Sequence, residues 1–228
     1  MTKAVITADI VHSSKMTNEE RKLLYTKVEE VLRVTDQDFK TKSEIYRGDS
    51  FQCLVQHPKL ALRVALIIKT FIRSLNLSEA HEVRSITGKR PKQTIIFPLW
   101  LFDVRMAIGI GNVEMPMHNL SNSDGTAFQL SGRLLDELKD SKQRFAIASN
   151  DHNQKHLEIE AALLDAIIGK ATALQCEVIY YKLLYYTETQ IAKELNVQQA
   201  AVNQRSISGN WNVINRFVKY FEDIYAHS

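Results

Sequence analysis

The first apolar run, Ala4-Val5-Ile6-Thr7-Ala8-Asp9-Ile10-Val11, hardly alternates with polar residues, and its β-branched content predicts a buried strand with one acid near its C-terminal end. A helical period follows from about Asn18 to Asp38, with Leu23, Leu24, Val28, Val31 and Leu32 on one face. Ile45-Tyr46 and Phe51-Gln52-Cys53-Leu54-Val55 flank the pair Gly48-Asp49, which predicts two strands meeting at a tight turn. A second helix runs from Pro58 to about Leu75, and residues 79–95 show no clear period and read as a loop excursion. Leu99 to Gly111 predicts a strand, Thr126–Leu138 a third helix, and Phe145-Ala146-Ile147-Ala148 a last short strand. The order β, α, β, β, α, β, α, β predicts an α+β domain over residues 1–150, with a mainly antiparallel sheet and helices on one face. The central hairpin interrupts the alternation that a fully parallel, doubly wound sheet would need.

From about Glu158 the pattern is helical to the end, and residues 151–228 form a second, all-α unit. Within it, Thr187 is placed to cap a helix with Gln190 closing a capping box, Ala192 is small where two helices would cross, and Asn196 suits a left-handed turn. Val197 and Val202 point back to a core, which is helix-turn-helix spacing. A second helix of that motif, about Gln198–Ser206, would expose Gln199, Asn203, Gln204 and Arg205, whose side chains can read base edges in DNA.

Composition adds limits. The chain has 228 residues, 45% hydrophobic and 24% charged, with 8 Gly and 4 Pro, which excludes collagen, a coiled coil and a disordered tail. No apolar run approaches the ~18 residues of a membrane span, and a cytoplasmic protein is expected. Cys53 and Cys176 lie far apart in apolar surroundings and suggest core residues, not a disulfide or a zinc site. The net charge is +3, divided as +5 over residues 1–157 and −2 over 158–228, so a phosphate-rich ligand suits the first part better. The cluster Lys89-Arg90-Pro91-Lys92 reads as a solvated loop.

Two acids draw the chemistry together. Asp9 ends a strand and Asp49 lies in a hairpin turn, so a sheet that sets the hairpin beside the first strand would let the carboxylates converge. Such a pair suits Mg²⁺ or Mn²⁺, which take one or two protein carboxylates and fill the rest with phosphate and water. Ser13, Ser14 and the backbone N–H groups ahead of the first helix would lie beside them to receive a phosphate. Helix capping by one Asp and a Gly-Asp turn for the other explain the same residues without a ligand. Other signatures fail. Glu114 stands where Gly109-Ile110-Gly111 would need the third glycine of a dinucleotide fingerprint, no P-loop or nucleophile elbow is present, and His152 and His156 lack a third ligand.

The set Ile6-Thr7-Ala8-Asp9-Ile10-Val11, Arg47-Gly48-Asp49-Ser50-Phe51-Gln52, Ile108-Gly109-Ile110-Gly111 and Asp124-Gly125-Thr126-Ala127-Phe128 resembles the SatD family of bacterial proteins. More distantly, over about residues 3–148, it resembles the catalytic domain of class III nucleotidyl cyclases and palm-type polymerases. The resemblance implies a ferredoxin-like, palm domain followed by the helix-turn-helix. It implies that Asp9 and Asp49 hold metal, that the carbonyl of Ile10 assists, and that Arg133 offsets charge on a transferring phosphoryl group, with Gln129 at the cyclase asparagine. Ile45 and Asn122 stand where those cyclases place a lysine and an acid for the purine, so purine selection of that kind is not implied.

Three functions follow as expectations. The leading one is a homodimeric, metal-dependent regulator that binds a nucleotide or other phosphorylated ligand, with Asp9 and Asp49 of one subunit facing Arg133 of the other, and reports occupancy to DNA. The second is a nucleotidyl cyclase or nucleotidyltransferase using two-metal phosphoryl transfer. The third is a structural adaptor.

Overall fold

A computed structural model describes residues 2–46, 48–75, 102–114, 120 and 123–226. The basic cluster at 89–92, the strand start at Leu99, Arg47 and Asn122 lie outside the described residues. Strand β1 (Thr2–Ile10) is followed by a 3-10 turn (Ser13–Lys15), helix α1 (Asn18–Asp38), the hairpin β2 (Thr41–Tyr46) and β3 (Ser50–Val55), and α2 (Ala61–Ser74). Then come β4 (Val104–Asn112), α3 (Thr126–Lys139) and β5 (Phe145–Ser149). The five strands lie in the order β2-β3-β1-β4-β5. All neighbours are antiparallel except β4 and β5, which are parallel. Without β5, the βαββαβ chain order and the strand order β2-β3-β1-β4 are those of a ferredoxin-like sheet. The expected mixed α+β architecture is what the chain adopts.

One expectation is corrected: the helices are not all on one face. Ala4, Ile6, Ala8 and Ile10 of β1 join the core formed with α1 and α2, whereas Val5 packs with Ala127 and Phe128 of α3 on the other side of the sheet. Thr7 shares a 2.8 Å hydrogen bond with Ser131 on that same side. A strand buried on both faces reads as a continuous apolar run, which is the form β1 takes. On α1, Leu24, Val28, Val31, Leu32 and Thr35 face inward, while Leu23 stands 47% exposed.

The helical region consists of α4 (Gln154–Lys170), α5 (Ala173–Leu183), α6 (Glu188–Glu194), α7 (Gln199–Ser208) and α8 (Trp211–Ile224). Its apolar faces continue the core of α1 and α2, through Leu157, Leu164, Ile179, Leu183, Ile214, Val218 and Phe221. Helix α2 therefore has neighbours on nearly every side, and even its Arg63, Lys69 and Arg73 are buried. Each has a partner. Arg73 Nη1 and Arg144 Nη1 both donate to Asp103 Oδ2 at 2.6 Å, and Arg73 Nη2 reaches the Gly169 carbonyl of α4. Lys69 Nζ donates to the Val104 carbonyl at 2.8 Å and lies 3.5 Å from Asp103 Oδ1. Arg63 Nε donates to Glu222 of α8 at 2.6 Å. Burial raises the Asp103 carboxyl, but Lys69, Arg73 and Arg144 outweigh it and hold the pKa down to about 2. The change to an all-helical pattern near residue 150 is a change of element type across which packing is continuous.

Candidate functional site

The register puts Asp9 opposite Ser50 on β3 and Arg105 on β4, so Asp9 and Arg105 are a cross-strand pair on one face of the sheet. Arg105 Nη1 donates to both carboxylate oxygens, at 3.1 and 2.9 Å. Burial is the largest influence on Asp9 and raises its carboxyl above the usual range; Arg105 and Lys139 act downward, and the charge of Asp49 acts upward. The second acid is fixed from both sides. Its carbonyl accepts from the Ile10 N–H at 2.8 Å, and its Oδ2 accepts from the Ser13 hydroxyl at 2.8 Å. Gly48, at φ 78, makes the turn that brings Asp49 there, in a backbone region that side chains with a Cβ seldom enter. The hairpin thus sets Asp49 against the end of β1, close enough for the two carboxylates to feel each other.

Beyond Ile10 the chain turns sharply. His12 is exposed with φ 62, and the 3-10 turn that follows carries Ser13 and the exposed Ser14. Burial is the first cause that lowers the His12 imidazole pKa; Lys15, Arg144 and Arg105 lower it further, against an upward pull from Asp103. Arg21 Nη2 holds the Ser13 carbonyl at 3.0 Å. The start of α1 is closed by its own capping box, in which Thr17 accepts from the Glu20 N–H and Glu20 accepts from the Thr17 N–H. A phosphate at that helix end would meet the Glu20 carboxylate, and the N–H groups of Thr17 and Glu20 are already engaged.

Arg133 and Gln129 are not brought to Asp9 within the chain. Helix α3 turns Ala127, Phe128, Ser131, Leu135 and Leu138 to the sheet, which leaves Gln129 and Arg133, four residues apart, exposed on its outer side. Gln129 Nε2 donates to Asp124 at 3.3 Å, and Arg133 has no ion pair among the described residues. The glycines of β4 serve the seating of α3: a Cβ at Gly109 would overlap the Ala127 carbonyl, and one at Gly111 the Thr126 hydroxyl. Ile45, at the expected base-recognition position, is part of β2 and packs against the core.

The donor set can be tested against a divalent cation. Asp9, Asp49 and the Ile10 carbonyl are hard oxygen donors of the kind Mg²⁺ or Mn²⁺ takes. No cluster of three His, Cys, Asp or Glu residues occurs among the described residues, so phosphate and water must supply the remaining positions. The Arg105 guanidinium already neutralises Asp9, and would have to release it. The set fits a cation brought together with a phosphorylated ligand better than a cation alone.

The α6–turn–α7 unit has the expected local form. Thr187 and Gln190 make the capping box, Asn196 has φ 51, and Ile191, Ala192 and Val202 are buried with Val178. The candidate DNA-reading side chains have intramolecular partners instead: Asn203 Nδ2 donates to Glu188 at 3.4 Å, Gln199 bonds the same carboxylate, and Arg205 Nη1 lies 3.7 Å from Glu177. Gln204 is exposed. Acids on this face oppose a phosphate backbone.

No family model and no curated protein sequence matches the chain. Among solved structures it is similar to a bacterial light-regulated adenylyl cyclase, at 16% identity and TM-score 0.37, over 65% of this chain and 74% of that one. It is similar to the adenylyl cyclase CyaB from P. aeruginosa, at 16% and 0.40, over 69% and 81%. The guanylyl cyclase Cya2 aligns at 13% and 0.37, over 60% and 70%. The strand order, and not these scores, carries the fold. The sequence singles out Asp9, Asp49 and Ser13 as candidates and passes over Arg105, which the structure sets against Asp9. Its one signal was a lone cation inside the apolar run 104–110, and only the register identifies its partner.

Proposed function

We propose that this chain binds a nucleotide, or another phosphorylated small molecule, beside the end of β1, and that its chemistry is phosphoryl transfer of the nucleotidyl cyclase kind. The observation that carries the proposal is the convergence, at one end of a ferredoxin-like sheet, of Asp9 with Asp49, whose carbonyl accepts from the Ile10 N–H and whose Oδ2 accepts from the Ser13 hydroxyl. Asp9 and Asp49, with the Ile10 carbonyl, would hold Mg²⁺ or Mn²⁺, which when bound offsets phosphate charge. Arg105 keeps Asp9 neutralised before the ligand arrives. Ser13 orients Asp49. Arg133 would face a ligand only across a homodimer, from the second copy, and would there stabilise charge on the transferring group. Membership of the SatD family is part of this proposal, supported by the motif set quoted above.

Pyrophosphate release from nucleoside triphosphates with Mg²⁺ or Mn²⁺ tests the proposal. Release by the wild type and its loss in Asp9→Ala and Asp49→Ala support it. Failure of every triphosphate to shift the melting temperature overturns it. Ligand-induced stabilisation that needs both acids, without turnover, favours the second proposal: a phospholigand-binding regulator that reads DNA with α7. The left-handed turn at Asn196 supports that version, and the pairing of Arg205 and Asn203 with acids weighs against it.

A further inference from the structure

Three cations and two acids meet at the end of the sheet where β1 runs out. Lys69, Arg73 and Arg144 pair with Asp103 at 3.5, 2.6 and 2.6 Å, and Lys69 reaches Asp165 at 4.0 Å. One positive charge is therefore in excess. Exposure says whose it is: the side chains of Lys69, Arg73 and Asp103 are 1% exposed, and that of Arg144 is 34% exposed. A buried cation is held to its acid by the cost of leaving either charge unpaired, whereas one that is a third in water is held far less.

Arg144 has a fixed backbone and a guanidinium with capacity to spare. Its N–H donates to Asp165 Oδ2 at 2.9 Å, and its carbonyl accepts from the Met106 N–H at 3.0 Å. Its guanidinium uses only Nη1, on Asp103; Nε and Nη2 have no hydrogen-bond partner among the described residues. Asp103 does not depend on it. Arg73 shares the same Oδ2, and Oδ1 accepts from the Val104 N–H at 2.8 Å with Lys69 beside it, so the carboxylate stays satisfied when Arg144 leaves. The place is also right. β5 begins opposite Met106, next to the Arg105 that faces Asp9, and the Val11 N–H just beyond β1 donates to the Asp103 carbonyl at 2.9 Å. Only β4 lies between β1 and β5, which puts the two strands about 10 Å apart.

We propose that Arg144 turns from Asp103 to hold the outer phosphates of a di- or triphosphate whose inner end lies at Asp9 and Asp49, and so selects for the length of the phosphate chain; this rests on the nucleotide reading of that site. A single phosphate at the acids leaves Arg144 where it is. A longer chain lying across the end of β4 reaches a planar, two-pronged donor that is already anchored and already partly dehydrated, which is the form in which Arg binds phosphate best. Lys15 and Lys139 are exposed lysines near the same end, and Lys139 is paired with Asp136 at 2.7 Å, so neither is built in as Arg144 is.

Calorimetric titration of the full chain tests this, with ATP, GTP and inorganic tripolyphosphate set against AMP, GMP and inorganic phosphate, each with Mn²⁺. Arg144→Gln should weaken the triphosphates that the wild type binds by about tenfold or more and leave the monophosphates within about twofold. Lys15→Gln and Lys139→Gln remove one charge from the same end and should each weaken the triphosphates by less than about threefold. Arg144→Lys keeps the charge beside Asp103 but loses the fork; it should fall between these results, and it carries the comparison if the glutamine variant does not fold. Unchanged triphosphate affinity in the Arg144 variants overturns the inference. So does an equal loss for mono- and triphosphates, or an equal loss from either lysine substitution. In each of those outcomes the wild type still binds, and the nucleotide reading stands. A wild type that binds none of these compounds overturns that reading and this inference with it.

Discussion

Asp9 sits between influences of opposite sign. Burial raises its carboxyl, Arg105 lowers it, and burial wins. A carboxyl raised in the folded state favours folding when protonated, below its ordinary 3.8, and that contribution is lost as pH rises through the raised value. Arg105 limits the loss. In Arg105→Ala the melting temperature should fall relative to wild type as pH rises from 3 to 7, with a plateau deficit of about 1–2 kcal/mol for this partly exposed pair. The same substitution frees both Asp9 oxygens, so calorimetric titration should show Mn²⁺ binding more tightly than to the wild type. Weaker binding would mean that Arg105 positions Asp9 and does not compete for it. The acid was legible in the chain because a charge inside a buried strand needs a reason. Its partner was not, because 96 positions separate the two and only strand register sets them opposite.

At the scale of elements, α3 lies so close to β4 that glycine is required at 109. Gly109→Ala should cost about 1–3 kcal/mol in a denaturant titration through forced displacement of the helix. That displacement would move Ser131 from Thr7 and, on the outer face, Arg133. The run Ile108-Gly109-Ile110-Gly111 reads locally as the end of a strand, but the need for its glycines lies in a helix elsewhere in the chain, and not in a turn. The α6–α7 connection is the opposite case. Cap, small residue, left-handed Asn196 and inward Val202 are all local, and each takes the expected conformation. Asn196→Val should cost about 1–2 kcal/mol for forcing a β-branched residue into the left-handed region, while Asn196→Gly should be tolerated.

For the whole molecule, Asp103 ties α2, β4 and Arg144 ahead of β5 into one buried network, and Arg73 extends it to α4. Its carboxyl is held at about 2 against an ordinary 3.8, so the stability it adds is complete above the higher value and lost as pH falls through the lower one. Asp103→Asn should lower stability by about 3–5 kcal/mol at neutral pH, by leaving buried cations unpaired, and the difference from wild type should shrink between pH 4 and pH 2. Because α2 packs on the sheet through one side and on α5 and α8 through another, far-UV circular dichroism and Trp fluorescence should report a single coincident unfolding transition. Two separated transitions would show that the helical region folds on its own.

Local pattern alone determined the elements, their order, the hairpin that carries Asp49 and the helix pair around Asn196, because each depends on residues within one or two turns of one another. Periodicity also marked β1 as buried, but not on which faces, since an apolar run reports burial without naming what covers it. The tertiary structure decided the strand order, the placing of α3 opposite α1 and α2, the pairing of Asp9 with Arg105 and the outward aim of Arg133. Those depend on contacts between distant segments, where the free energy of packing and the register of hydrogen bonds act and short-range spacing carries no information.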